Sequence, residues 1–549
     1  MSTAGWQRAL VLTGCMVFGM AAWATGAGAQ AAVPTVLAAG HSARGDVPVG
    51  GSYIFRLNVP AGHVVQGEFK GRNTVLDLQD EQGRHVRRLG VADGTQQGMM
   101  WVAADSPQRL AVHHTGDMAG TFELQLAKVL APQIQRTSDD GRKLASPRLR
   151  ALQKTIASGG SSEAFWKEIA REGSPLIESL SDKESLVTFL WKGEAKNVRL
   201  FGSPSGDHDP LARLPGSDVW WATFRMPNTA RLSYRLAPDI PVVQDDPRAQ
   251  RRIILATAQR DHLNPRVFPD TADTLIDIYQ GASAVALPKA PPQPWIERNA
   301  GTAAGTLVHH ELDSAILGNR RDVWIYQPAG AAPEALLVLF DAHAYLERVP
   351  TPAIIDNLMA EGLIPPTAVV LIGNPSPTAR GVELPPNKLF ARFLDEELMP
   401  WVKDRGVSQP AERTVIAGSS YGGLASAYAG LVNPHHFGNV LSLSGSYWWA
   451  PKGEIPGWMM REYVKASKAD VRFYLDAGRY EASHGGRDGI LETSRHLGDV
   501  LRAKGYAVTQ VEHDTGHDYL HWQGSLGCGL VALLKPVAYE SGLPACHGQ

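Results

Sequence analysis

The chain has 549 residues, a formal net charge of −2 and 20% charged residues. That balance excludes a strongly basic nucleic-acid binder, and the length exceeds what one core holds, so about three or four domains are expected. The segment Met1 to Arg8 is short and basic, Ala9 to Ala22 is apolar, and Ala27-Gly28-Ala29 fits a small-residue cleavage site. This is the pattern of a secretory signal peptide over residues 1–29, since the apolar run breaks too early for a membrane span. A periplasmic or secreted protein is therefore expected, with no transmembrane segment after cleavage. Leu12-Thr-Gly-Cys15 is spelled like a lipoprotein box. Its apolar run is short and apolar residues continue past Cys15, so lipid anchoring through Cys15 is the lesser alternative.

Residues 33–130 alternate short apolar runs with turns: 52–59, 64–69, 74–78, 109–113 and 121–126. The spacing predicts a small β-sandwich. It resembles, diffusely, the jelly-roll accessory domains of secreted bacterial hydrolases. Residues 131–160 are polar and basic and read as a linker with a helical portion. Residues 161–285 hold further strands, notably Leu186-Val-Thr-Phe-Leu-Trp191 and Trp220-Trp-Ala-Thr-Phe224. Ala286 to Pro294 is a proline-rich, semi-rigid hinge by composition. A last domain runs from 298 to 549.

That domain carries the chemistry. Ala335-Leu-Leu-Val-Leu-Phe340 is a buried strand leading into Asp341-Ala-His-Ala344, and Ala368-Val-Val-Leu-Ile372 is another, followed by a loop with Arg380 and Glu383. Arg413-Thr-Val-Ile-Ala417 is a third apolar run, then Gly418-Ser-Ser-Tyr-Gly422, then a small-residue helix. Strand, G-x-S-x-G and helix together form a nucleophile elbow, with Ser420 at a tight turn for which Gly418 and Gly422 supply room. Such an elbow needs a carboxylate and then a histidine in chain order. Val471-Arg-Phe-Tyr-Leu475 is the strand that delivers the acid, and Asp476, Glu481 and Asp488 all follow it. Position alone does not separate Asp476 from Glu481. His517 lies in a loop after the strand at 506–511 and before a helix from about 522 to 534. His513 is its competitor but belongs to the strand. A zinc pair of His513 and His517 is disfavoured, because Gly516 makes the segment a loop and no H-E-x-x-H is present. After loss of a signal peptide only Cys528 and Cys546 remain, and in an oxidising compartment they are expected to pair.

Several of these motifs, in this order, resemble the enterochelin esterases, which hydrolyse the ester backbone of ferric enterobactin and related catecholate siderophores. The matching pieces are Arg413 to Leu424, Ser444-Gly-Ser-Tyr-Trp-Trp449, Arg380 to Asn387, Leu475 to Glu481 and Gly516 to Trp522. Upstream, Phe165-Trp166, Gly173 to Leu176, Val187 to Trp191 and Asp261 to Pro265 are similar to that family's own N-terminal domain. The resemblance implies an immunoglobulin-like sandwich over 161–285 and an α/β-hydrolase domain behind it. The fold class expected is thus two β-sandwiches followed by an α/β-hydrolase. It also implies Glu481 as the acid, His517 as the base, and an oxyanion hole from the amides of Tyr421 and His343. The family often has Asp-Gly where this chain has Asp341-Ala342, which makes the backbone there less permissive.

The same resemblance places Arg380 near the substrate, where an arginine suits a polyanionic tris-catecholate; an internal Arg380–Glu383 pair is the alternative. Tyr447, Trp448 and Trp449 offer flat walls for catechol rings, or core packing. Asp341 alternatively orders its own loop. No cofactor or metal is implied, since iron arrives with the substrate, and the partner is a siderophore or other ester. Two other functions stay open: an exported carbohydrate or feruloyl esterase, and a non-enzymatic siderophore-binding protein.

Overall fold

The computed structural model describes residues 35–93, 97–133, 142–202, 204–205, 208–241, 247–270, 277–483, 486 and 488–546. The expected signal peptide, with Cys15, lies outside them. No helix among the described residues is long and apolar enough to cross a membrane.

The first sheet has eight strands between Thr35 and Leu130. Its spine is the strand Val64–Asp80, which pairs antiparallel with His85–Asp93, Gln97–Val102, Gln108–His114 and Gly120–Leu130. The sequence suggests two strands here, at 64–69 and 74–78, but one runs through. A Cβ at Gly67 would lie 2.4 Å from the Gln125 carbonyl oxygen, and one at Gly71 would lie 2.0 Å from that of Thr121. These glycines admit a neighbouring strand rather than turn the chain. Phe55, Phe69, Trp101, Leu110 and Phe122 form the core.

A second unit follows, with two sheets. Ala212–Arg213, Val219–Pro227, Glu184–Lys192 and Leu176–Ser179 make one; Asp209–Pro210, Val198–Phe201, Arg231–Pro238, Ala282–Ala286 and Val267–Phe268 make the other. Val187, Phe189, Trp220, Leu232 and Tyr234 from both sheets share one core. The helix Pro147–Ala157 falls in the stretch read as linker, yet its Leu149 and Leu152 pack with Phe165, Trp166 and Trp221 in a core of this unit.

The third unit is built on a second eight-stranded sheet. Its order is Thr306–Ser314, Asn319–Gln327, Thr367–Ile372, Ala335–Phe340, Thr414–Ser419, Asn439–Leu443, Arg472–Gly478, Ala507–His513. The second strand pairs antiparallel with both of its neighbours, and the last six are paired parallel. Every residue of the four strands between Thr367 and Leu443 in this order is buried, as a parallel sheet covered on both faces requires. One face packs under the helices Tyr421–Val432, Trp458–Lys465 and Ile490–Ala503. The other packs under Thr351–Ala360 and Tyr519–Leu534.

The second unit touches the third at the segment that carries His517. The Arg231 N–H donates to the Asp514 carbonyl at 3.1 Å, the Thr229 hydroxyl donates to the Asp514 carboxylate, and the Ser233 N–H donates to the Asp518 carboxylate. The proline-rich stretch lies against the last long helix, where Gln293 Nε2 donates to the Leu520 carbonyl at 2.8 Å. Trp295 beyond it is already part of the third unit's core.

Cys528 and Cys546 are joined, with Cα atoms 5.2 Å apart, and both are buried. The bond ties the C-terminal segment to the helix that follows His517. Thiol titration of unfolded, unreduced protein should find neither thiol free. Reduction should cost about 3 kcal/mol in the chain-entropy picture and leave ester cleavage nearly unchanged. Two reactive thiols at these positions would refute the bond.

Candidate active site

Ser420 follows the fully buried strand Thr414–Ser419 and caps the helix Tyr421–Val432. Its backbone sits at φ 59°, ψ −118°, a region that non-glycine residues rarely occupy and that costs on the order of 1–3 kcal/mol. The turn is held by its own hydrogen bonds: the Ser420 N–H donates to the Leu443 carbonyl at 2.9 Å, and the Ser446 N–H donates to the Ser420 carbonyl at 3.1 Å. A Cβ on Gly418 would lie 2.7 Å from the Gly422 carbonyl carbon, so Gly418 must be glycine. At Gly422 itself a Cβ would make only ordinary contact, 3.5 Å from Asp341 Oδ2 and Phe340 Cβ. The second tight position is Gly423, where a Cβ would be 2.6 Å from Ser442 Oγ. The room expected at Gly418 and Gly422 is therefore needed at Gly418 and Gly423.

The Ser420 hydroxyl lies 3.3 Å from Ser446 Oγ. Around the corner, the His517 Nδ1–H donates to Glu481 Oε1 at 2.6 Å, which leaves Nε2 as the basic nitrogen. Glu481 sits in the short turn Arg479–Glu481, and its side chain is only 4% exposed. Its other oxygen accepts from the Gly478 N–H and the Ser444 hydroxyl, each at 2.7 Å. Trp522 Nε1 donates to Ser444 Oγ at 3.1 Å and its ring meets the His517 ring edge to face. The acid, the imidazole and the two groups that fix them thus form one chain of contacts. Ser444 and Ser446 were not singled out as functional from sequence, although both lie in the Ser444-Gly-Ser446 motif.

The strand Ala335–Phe340 runs directly into the short helix Ala342–Glu347. The unusual backbone falls on Asp341, at φ 58°, and not on Ala342, which begins a right-handed turn. An alanine there is accommodated for that reason. The amides of His343 and Tyr421 both belong to first helical turns, whose N–H groups have no intrahelical acceptor. A Cβ placed on Gly422 would come within 3.5 Å of Asp341 Oδ2, and Arg380, paired with Asp341, lies over the Tyr421 ring, so the two turns adjoin.

A protein-family comparison matches residues 186–296 to the family described as enterochelin esterase, N-terminal, and residues 314–533 to that described as putative esterase. The iron(III) enterobactin esterase of Dickeya dadantii (strain 3937) is 31% identical over 414 residues, covering 68% of this chain and 93% of that protein. The iron(III) enterobactin esterase of Escherichia coli (strain K12) is 30% identical, covering 69% of this chain and 98% of that one. The enterobactin esterase of Shigella flexneri, crystallised in the presence of enterobactin, aligns with a TM-score of 0.56 at 30% identity, over 69% of this chain and 99% of that one.

The chain belongs to the enterochelin esterase family. It is a carboxylic ester hydrolase. The eight-stranded sheet over residues 35–130 lies outside both matched segments.

In this enterochelin esterase two expectations around Ser420 need correction. Arg380 is not in a loop but on the helix Pro377–Glu383, and it does not pair with Glu383. It makes a two-pronged ion pair with Asp341, both bonds at 2.7 Å, and lies over the Tyr421 ring. Glu383 instead accepts from Asn319 and from the buried Arg321. Asp341, also bonded to Asn374 at 2.6 Å, thus holds the strand-to-helix turn that carries the His343 amide. Arg380→Ala should leave that carboxylate buried and unpaired. About 2–4 kcal/mol of stability should go with it, and kcat should fall as the His343 amide loses its support. Thermal unfolding and esterase rates on the same preparation check this.

Tyr447 is the second correction. It is fully buried, and its hydroxyl donates to Ser442 Oγ at 2.6 Å, so it walls no open cleft. Burial pushes its phenol above the ordinary range. Trp449 is partly buried and packs edge to face on Trp458, whereas Trp448 is 40% exposed beside the Tyr421 ring. Of these three aromatics, Trp448 alone presents an open face.

The structure also separates the candidate acids. Asp488 is exposed, and Asp476 is fully buried and turned away from His517. Asp476 meets His521, His513 and Ser525 instead. Burial alone would raise its pKa, but the two histidines outweigh that and hold its carboxyl well below the usual range. Burial, and then His521, push His513 down.

Proposed function

We propose that the protein is an exported serine esterase that hydrolyses the ester backbone of a catecholate siderophore such as enterobactin, as its ferric complex, and so helps release iron. The observation that carries this reading is the Glu481–His517 pair beside the strained Ser420 turn, in a chain related over nearly their whole length to enterobactin esterases. Ser420 Oγ is the nucleophile. His517 Nε2 takes its proton as Oγ attacks the seryl ester carbonyl. The amides of Tyr421 and His343 hold the oxyanion. His517 then protonates the leaving alkoxide oxygen, which departs as a hydroxyl, and activates the water that frees the acyl group, with Glu481 fixing the ring throughout. This scheme requires no resident cofactor, and iron enters only with the substrate. Trp448 is the wall offered to a catechol ring. Arg380, already paired with Asp341, acts through the turn it holds.

The fold reading that accompanies this function is two β-sandwich units, over 33–130 and 161–285, ahead of an α/β-hydrolase domain. The buried Cys528–Cys546 bond supports a periplasmic or secreted location. A carbohydrate or feruloyl esterase shares the same kind of serine chemistry, and a pure binding protein needs none. Both are separated from this reading by one experiment. The protein, without residues 1–29, is incubated with enterobactin, ferric enterobactin and methyl ferulate, and the products are weighed. Cleavage of the siderophore, one water gained per ester, with little action on the ferulate is expected. Cleavage of the ferulate alone, or of nothing, would overturn the reading.

A further inference from the structure

The cluster that takes Asp476 away from the triad has a geometry of its own. Asp476 lies on the strand Arg472–Gly478, His513 ends the neighbouring strand Ala507–His513, and His521 lies on the helix Tyr519–Leu534. Both imidazoles turn Nε2 to one carboxylate. His521 Nε2 is 3.0 and 3.2 Å from the two oxygens of Asp476, and His513 Nε2 is 3.2 Å from Oδ2. Ser525, one helical turn beyond His521, places its Oγ 2.8 Å from Asp476 Oδ2 and 2.9 Å from His521 Nε2.

A hydrogen-bonded cluster accounts for His521 and Ser525 but not for His513. Its Nε2 is buried and makes no hydrogen bond, because it faces the carboxylate oxygen out of line. An inward lone pair explains that orientation. Three donor atoms within 4.8 Å of one another, with two edges of 3.2 Å, match a tetrahedral zinc site. Bonds of about 2.0–2.1 Å place neighbouring ligands about 3.3 Å apart in such a site. Two imidazole nitrogens and one carboxylate oxygen suit a borderline divalent ion. An entry path exists, because His513, His521 and Ser525 line a cleft shared with Thr229, Arg231 and Gln293.

We propose that Asp476, His513 and His521 bind a divalent zinc-class ion, with Ser525 or a water as fourth ligand. Ser420 has no part in it, so the role is structural. The three ligands tie together the strand that leads into the Glu481 turn, the strand that leads into the His517 loop, and the helix behind that loop. Loading the site stiffens the frame of the Glu481–His517 pair. The inference does not depend on which ester is cleaved. A second group, Asp395 with His435 and His436, also gathers potential ligands, but it is more open to solvent and its histidines both bond one Asp395 oxygen.

The test uses the disulfide-intact protein, stripped with chelator and dialysed, then given zinc(II) or cobalt(II). The expected result is one equivalent retained per chain, a rise in Tm of about 5 °C or more, and visible cobalt bands typical of tetrahedral nitrogen and oxygen ligation. His513→Gln and His521→Ala should abolish retention, while His435→Ala should not. If wild-type protein retains no ion and shows neither a Tm rise nor cobalt bands, the proposal fails regardless of how the variants fold. It also fails if retention survives His513→Gln and is lost in His435→Ala.

Discussion

Ser420→Ala and His517→Ala are each expected to lower kcat for ester hydrolysis by roughly 10⁴-fold or more, with the fold retained. The reason is geometric. Ser420 is the residue at the strained turn between the strand Thr414–Ser419 and the helix Tyr421–Val432. In the proposed mechanism, removing its hydroxyl leaves the oxyanion amides and the binding surface but no acyl acceptor. His517 is fixed at Nδ1 by Glu481 and is 42% exposed, so its other nitrogen is open to a proton from the serine side. The two losses should not add in the double variant, because the residues act as one unit. Ser420→Ala also has a stability side. Alanine keeps the positive φ strain, so Tm should hardly change. Losses below about tenfold for both single variants would sink the assignment.

Much of this site was legible because its signals are local. The elbow is contiguous: a buried strand, a glycine-bounded serine and a small-residue helix occupy one stretch of chain. The disulfide was legible by elimination, as only two cysteines follow residue 29. What escaped was decided by contacts between distant segments. The partner of Arg380 is Asp341, 39 positions upstream, whereas the sequence offers the nearer Glu383. Tyr447 stands beside an exposed Trp448, but its ring is committed to the core by a hydrogen bond to Ser442. Gly67 and Gly71 look like breaks in a strand and are close-approach positions within one. The departure at Ala342 loses its weight once the positive φ is seen to fall on Asp341. The partner of His513 is likewise set by a distant segment. His513 does meet a second histidine, but it is His521 on the helix, not His517 in the loop.

The choice between Asp476 and Glu481 is the sharpest case, and it yields the second large effect. Glu481→Gln should lower kcat by about 10³–10⁴-fold while leaving KM and Tm near their wild-type values. Oε2 of Glu481 accepts from two donors, the Gly478 N–H and the Ser444 hydroxyl. In the glutamine variant the amide oxygen is therefore held at that position, and the NH₂ group turns toward His517. A donor now faces Nδ1, so the imidazole must carry its proton on Nε2, where it no longer accepts the proton of Ser420. Asp476→Asn should behave in the opposite sense. Asp476 is buried among His513, His521 and Ser525 and does not touch His517. Its neutralisation removes the charge those groups are arranged around, at about 2–3 kcal/mol of stability, and should lower kcat less than Glu481→Gln does. Steady-state kinetics and thermal unfolding of the two variants side by side separate the roles. A crippled Asp476→Asn beside a near wild-type Glu481→Gln would transfer the acid to Asp476. It would also require His517 to leave Glu481 and Asp476 to leave His521 and Ser525 during turnover.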